Sequence, residues 1–271
     1  MNKKTRKLIS GQMILFELRN VIGNPYVHIF GIGLPVLLAI LISRVVASET
    51  TNSTILSMAS TSVYLGMGSL IPMATILMGY SVEYAQELDK GIPQRMQLFG
   101  IKTIVTLCNR AIAEILFISV GFLIFFSTGY IFSNLKRPVA SGIVYYIFCM
   151  LAFSLVCLGL GHGIASLCHN FGRAYCISML TYFAFMILGG MMGISYDNLP
   201  EWAKFLAKLL PVTYINQDFY KIWTGEPYNF MPMVQSFLFL TAVAGILLFF
   251  TGKKKGVYHK VTAQIIYPQP K

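Results

Sequence analysis

The sequence predicts an all-α membrane protein. It has six transmembrane helices, an N-terminal interfacial amphipathic helix, and a short outside helical hairpin before the last span. Three observations lead there. First, six long apolar runs fall at 26–48, 59–82, 103–131, 140–168, 174–196 and 232–251. At about 1.5 Å per residue, each is long enough to cross a hydrocarbon core of roughly 30 Å. A backbone in lipid must satisfy its own hydrogen bonds, so such spans are helices. Second, 56% of the 271 residues are hydrophobic and only 11% are charged, against roughly 25% charged in an ordinary soluble domain. Third, the positive charge is lopsided. With the N-terminus inside, 15 of the 21 Lys and Arg fall on the cytoplasmic side. Six (Arg44, Lys136, Arg137, Lys204, Lys208 and Lys221) fall on the other. The positive-inside rule then puts both termini in the cytoplasm.

Six spans leave little chain over, so no soluble domain of ordinary size fits between or beyond them. The net charge of +11 is divided among loops rather than gathered on a soluble basic face. That argues against nucleic acid as a partner and for the lipid bilayer. The five cysteines (Cys108, Cys149, Cys157, Cys168 and Cys176) lie in or at the ends of spans. They read as small buried apolar side chains without a structural disulfide, and no spacing resembles a metal site. Met1 to Lys7 is basic, but no apolar core with a small-residue cleavage site adjoins it, so a cleaved signal peptide is not expected.

The chain divides into residues 1–25, a cytoplasmic amphipathic helix; 26–251, the six-span domain; and 252–271, a basic cytoplasmic tail expected to be disordered. In 7–22, Leu8, Leu15, Leu18 and Ile22 recur at helical spacing, with Gln12, Glu17 and Arg19 between them. This pattern suits a helix lying in the interface. Gly23-Asn24-Pro25 ends it and turns the chain into span one, where Pro35 predicts a kink. A short polar loop, 49–58, leads to span two, which is expected to end near Tyr80.

The 81–102 segment that follows, with the coupling segment 83–100 inside it, is the most charged inside loop. Glu83, Glu87 and Asp89 precede Lys90, Arg95 and Lys102, and Gly91 and Pro93 divide it into two short helical pieces. It is either a solvated connector or a docking element with Met96, Leu98 and Phe99 as apolar anchors beside charged rims. Span three carries Arg110 and Glu114, an i,i+4 pair about one turn inside the membrane. A buried ion there is costly unless paired, and pairing along one helix face offsets part of that cost. Span four holds Gly159, Gly161 and Gly163 around His162, where small residues allow close helix approach. His162 reads as a packed or pore-facing donor rather than a metal ligand. A tight turn, His169 to Arg173, makes spans four and five antiparallel neighbours.

The outside segment 195–231 has two predicted amphipathic helices. Pro200 suits a first helical turn. Trp202, Phe205, Leu206, Leu209 and Leu210 form one stripe, Glu201, Lys204 and Lys208 the opposite face, and Pro211 stops the helix. A second stretch runs from about Ile215 to Trp223. The pair either anchors in the outer leaflet or covers an exit route. Lys253, Lys254 and Lys255 anchor the inner end of span six.

No Gly-x-x-x-x-Gly-Lys-Ser/Thr loop occurs, so the chain is not expected to hydrolyse ATP. Neither His-Glu-x-x-His nor Gly-x-Ser-x-Gly is present, and no convincing 3+3 repeat of the secondary-carrier kind is seen. What remains is a membrane pathway driven by an external engine, or by none.

Two stretches now carry a resemblance. In the first, Glu87-x-Asp89-Lys90-Gly91 is followed by Leu98-Phe99 and by Asn109-Arg110 at the start of span three. In the second, Gly189-Gly190 precedes Leu199-Pro200-Glu201-Trp202 and Leu210-Pro211-Val212-Thr213-Tyr214. With the order of spans, this resembles the permease subunit of type-2 ATP-binding-cassette (ABC) exporters over nearly the whole chain. The sequence departs from that pattern at Ile92-Pro93 and in lacking a Pro within Gly193 to Tyr196.

The resemblance implies two cytosolic ABC ATPase subunits and a second permease copy or a paralogous permease, in the bacterial cytoplasmic membrane. ATP and magnesium would be bound by the partner ATPase, with no cofactor in this chain. Glu83, Glu87, Asp89, Lys90, Gly91 and Arg95 would couple to the ATPase, and Pro200, Trp202, Pro211 and Tyr214 would form an outer gate. The expected cargo is hydrophobic or amphipathic: a drug, antibiotic, peptide or lipid. Lipid-linked polysaccharide is an alternative within the same family. Outside it, the rivals are an ATP-independent carrier or channel, and a membrane enzyme or a non-transporting assembly or sensory protein.

Overall fold

The computed structural model describes residues 8–49, 52–168, 170–191 and 196–266, with Asp197 and 252–266 described by backbone alone. Among these residues the fold is all helix, without a strand. Lys3, Lys4, Arg6, Lys7, His169, the Gly193–Ser195 stretch and the side chains of Lys253, Lys254 and Lys255 lie outside the described residues.

Helix α1 (Gly11–Gly23) runs along the side of α5 (Thr103–Phe132), with Glu17 and Val21 as its buried residues. Leu8, Leu15, Phe16 and Ile22 are about half exposed, which suits a helix half sunk in lipid. Glu17, however, faces inward rather than lying on a polar outer face. Asn24 closes the turn: its backbone N–H bonds Val21 O at 3.2 Å, and its side chain accepts from Tyr26 N at 3.1 Å.

The six spans are α2 (Pro25–Glu49), α3 (Ser53–Asp89), α5, α6 (Ala140–Cys168), α7 (Phe171–Leu188) and the first part of α11 (Met231–Ile266), apolar to Thr251. In α2 the irregularity expected at Pro35 appears as a π-helical turn, Ile29–Gly33, just before it. Proline lacks the N–H that would bond the Gly31 carbonyl. The ladder shifts register there, and Leu34 N–H bonds Ile29 O.

Helix α3 is the centre of the bundle. In its apolar window 83% is buried, against 22–50% in the other spans. It carries Ser60, Thr61, Ser69, Thr75 and Ser81 on its buried face. Lipid tails give helices no hydrophobic reason to associate, so the helix with most neighbours is the one with small and hydroxyl side chains. It does not stop near Tyr80 but continues to Asp89, because no helix breaker occurs before Gly91. Gly91, at φ 66°, then turns the chain into α4 (Ile92–Leu98). Span five is shorter than expected, ending at Leu188, where Gly189 caps it and Gly190 takes φ 76°. Eighteen residues still give about 27 Å. The tail expected to be disordered continues α11 as helix to Ile266.

At the end away from α1, the hairpin expected on the outside contains three short helices rather than two: α8 (Glu201–Lys208), α9 (Pro211–Gln217) and α10 (Phe219–Thr224). Asp218 separates the last two, and Gly225, at φ 80°, ends α10. Only α8 rests on the surface, where Ala203 and Ala207 face the bundle and Trp202 and Phe205 face out. Helices α9 and α10 pack into the bundle, and Phe219, Ile222 and Trp223 join Leu65, Tyr146 and Met150 in a second core. Close approach at Gly142 makes this possible: a Cβ there would lie 2.9 Å from the Trp223 Cα and the Ile222 carbonyl oxygen.

Candidate coupling site

The chemistry of the α1 end centres on Arg110, two turns into α5 and 2% exposed. Its neighbour Asn109 fastens the start of α1: Oδ1 accepts from Ser10 N at 2.9 Å, and Nδ2 donates to Leu8 O at 3.0 Å and Val105 O at 2.6 Å. Arg110 Nη1 donates to Glu87 Oε1 at 2.7 Å, and Nη2 donates to Glu83 Oε2. Nη1 also lies 3.8 Å from Glu17 Oε2. Glu83 is shared further, accepting from Asn24 Nδ2 at 2.5 Å. One guanidinium thus joins α1, the end of α3 and α5.

The Arg110–Glu114 pair expected from spacing is not what forms. Arg110 makes its ion pairs with Glu17, Glu83 and Glu87. Helical side chains lean toward the N-terminus, so an Arg four residues before a Glu points away from it. Glu114 lies one turn deeper, 2% exposed, with one carboxylate oxygen lacking a hydrogen-bond partner.

Arg110 cannot neutralise three carboxylates. Glu17, outside the spans, shows the effect: burial holds its carboxyl above the ordinary range, Arg110 opposes that, and Glu87 and Glu83 add to it. The Glu17 Oε2 oxygen has no hydrogen bond. Burial outweighs an ion pair as long as 3.8 Å, as expected where removal from water costs more than a distant charge returns.

An aromatic wall continues inward. The Arg110 Cζ lies 4.8 Å from the Tyr80 ring centre, a cation–π distance. The Tyr80 hydroxyl bonds His162 Nδ1 at 2.6 Å, and Tyr84 stacks on His162 at 4.6 Å. His162 is therefore packed, one of the two readings its glycine-rich setting left open. Beneath α4, a cavity of about 20 Å³ touches Glu87, Met96, Arg110 and His162. That is enough for one water among polar partners.

Of the residues expected to couple, Glu83 and Glu87 are turned inward to Arg110, and Asp89 and Lys90 are exposed at the turn. Arg95 braces that turn, with Nη2 donating to Lys90 O at 2.7 Å. Leu98 and Phe99 are 87% and 77% exposed. Single exposed apolar side chains are common on surfaces; here two adjacent ones stand beside the charged turn of Asp89 and Lys90.

At the opposite end, Pro211 is buried, and the Tyr214 hydroxyl donates to Lys208 O at 3.1 Å. Thr213 Oγ1 donates to Ala207 O at 2.7 Å, and Asn216 Nδ2 to Gly189 O at 2.7 Å. Pro200 opens α8, whose Trp202 is 68% exposed on the outer face. The structure thus braces Tyr214 against α8 and leaves Trp202 pointing out.

Sequence reasoning missed Glu17, Asn24, Tyr80 and Tyr84. Glu17 carried one signal, its i,i+4 spacing from Val21 on an otherwise apolar stripe. Tyr80 and Tyr84 carried none, being ordinary aromatics on a span.

Among the described residues, no group of His, Cys, Asp and Glu could hold a metal. A family model described as ABC-2 type transporter matches residues 11–224, from the first residue of α1 to the last of α10. No curated protein matches the chain.

Proposed function

Since the chain belongs to the ABC-2 type transporter family, a family of permeases that work with an ATPase subunit, we propose that it is the permease of an exporter. Two cytosolic ATPase subunits, which bind ATP and magnesium, would drive it, with a second permease copy or a paralogue completing the path. The α1 end faces the cytoplasm, on the strength of the charge asymmetry, and the bacterial cytoplasmic membrane is the location the family resemblance implies. The cargo is hydrophobic or amphipathic, in keeping with apolar spans rich in Phe, Tyr and Met.

The observation that carries this reading is the position of Arg110. The exposed Leu98–Phe99 tip belongs to α4, which is joined through Gly91 to the end of α3 that bears Glu83 and Glu87. Those carboxylates hold Arg110 of α5, and Arg110 faces Glu17 of α1. A force applied at α4 therefore reaches three helices, including the central one. ATP can shift the permease only if docking differs between its two conformations, and a shared charge with more carboxylates than it can neutralise offers two such arrangements.

The test is co-purification. In Leu98→Asp/Phe99→Asp, or with Lys90→Glu, the tagged chain in mild detergent should lose its stoichiometric ATPase, while folding and membrane level stay normal. Full retention of the ATPase in all these variants would exclude α4 as the docking element. For the gate, Trp202→Ala/Tyr214→Ala should lower export with the ATPase still bound, and unchanged export would remove both residues from that role.

A further inference from the structure

We propose that the groove between α5 and α6 binds one acyl chain of an anionic phospholipid, whose headgroup meets Arg137 at the hairpin end. The groove holds about 540 Å³, within the range of roughly 300–1,000 Å³ typical of ligand sites. Along α5 it runs from Ile118 to Tyr130, about 18 Å of helix, the depth of one leaflet in a core of roughly 30 Å. It opens sideways, flanked by Leu123 and Ile147, which are 70% and 54% exposed.

Its walls suit a hydrocarbon and not a polar ligand. Three of the four hydroxyls that line it are already bonded: Ser119 to Ile115 O at 2.7 Å, Ser127 to Leu123 O at 2.6 Å, and Tyr146 to Leu65 O at 3.1 Å; the fourth, on Tyr130, lies at the hairpin end of the groove. The charge sits at the mouth. Pro138 lines the groove and adjoins Arg137, which is exposed and forms no ion pair among the described residues. Lys136 beside it is already engaged, its Nζ 3.2 Å from the Tyr220 hydroxyl. An apolar slot one leaflet deep with an uncommitted cation at its mouth matches a phospholipid with a negative headgroup. The inference does not depend on the direction of transport or on the cargo.

Trp223 lines the groove and is 5% exposed, so bulk lipid reaches it only through the groove. The chain has two tryptophans, and Trp202→Phe leaves Trp223 as the single reporter. The full-length variant is reconstituted in phosphatidylcholine vesicles with rising fractions of dibrominated phosphatidylglycerol or dibrominated phosphatidylcholine. Half-maximal quenching of Trp223 should need an about fivefold lower fraction of the anionic lipid, the preference one surface cation supplies. Adding Arg137→Gln should remove that preference, and Ser127→Phe, which fills the groove, should reduce quenching by both lipids. Absence of quenching would mean that protein covers the groove. That result, equal quenching by the two lipids, or a preference that survives Arg137→Gln would each overturn the proposal.

Discussion

Arg110→Met removes the one cation that three helices share and keeps most of the side-chain volume. The cost can be worked from the geometry. Removing one partner of a fully buried ion pair costs about 3–5 kcal/mol, because the remaining charge has neither water nor partner. Glu83 and Glu87 keep 21% and 24% exposure and recover part of their hydration, whereas Glu17 at 3% does not. Discounted for that exposure, the expected loss is about 2–4 kcal/mol. At about 2–4 °C per kcal/mol for a chain of this size, the apparent Tm should fall by about 4–16 °C. The assay is thermal unfolding of the purified chain in one detergent at one scan rate, since such unfolding is commonly irreversible. Glu114→Gln is the companion variant, expected to cost less than about 1 kcal/mol because Glu114 makes no ion pair with Arg110. A Tm for Arg110→Met within 1–2 °C of wild type, or equal damage from Glu114→Gln, would refute the three-helix network and restore the i,i+4 pair.

Three further outcomes follow from named contacts. Burial holds the Glu17 carboxyl above 4.5, so the folded chain prefers the protonated acid. The stability that preference contributes is complete below pH 4.5 and fades as pH climbs through the raised value. Glu17→Gln should therefore lose less stability than wild type between pH 4.5 and neutrality, and parallel melting curves would contradict this. Gly142→Ala should destabilise by about 1–3 kcal/mol, as overpacking does, because its methyl would meet the Trp223 backbone; Gly11→Ala, with nothing within 4 Å, should be silent in the same melt. Gly91→Ala should cost about 1–2 kcal/mol at its φ of 66° and weaken ATPase retention by re-aiming α4. Gly91→Asn should recover most of that retention, since Asn tolerates the left-handed region, and identical retention in all three proteins would detach the turn from coupling.

Much of this molecule was legible without its tertiary structure. Length and hydropathy determine that a helix spans, because the bilayer core has a fixed thickness and no backbone partners. Gly91 and Pro93 located the turn into α4, and Pro200 and Pro211 bracketed α8, because those residues restrict backbone torsions locally. Distribution of Lys and Arg among the loops predicted an orientation for the same reason of scale: it needs counts along the chain and no contacts.

Partners across space were another matter. Arg110 and Glu114 are adjacent on a helical wheel, yet the direction in which side chains lean sends Arg110 to residues 17, 83 and 87. No periodicity within one helix encodes that choice. The hairpin likewise read as two surface helices, because amphipathic spacing cannot tell lipid from a neighbouring helix when both are apolar. The sequence by itself determined how many times the chain crosses and where the glycine and proline turns at 91–93, 200 and 211 fall. Only the tertiary structure decided which buried charges meet and that α9 and α10 enter the bundle. Inside a membrane the hydrophobic effect no longer distinguishes one apolar face from another, and close packing and hydrogen bonds select among them.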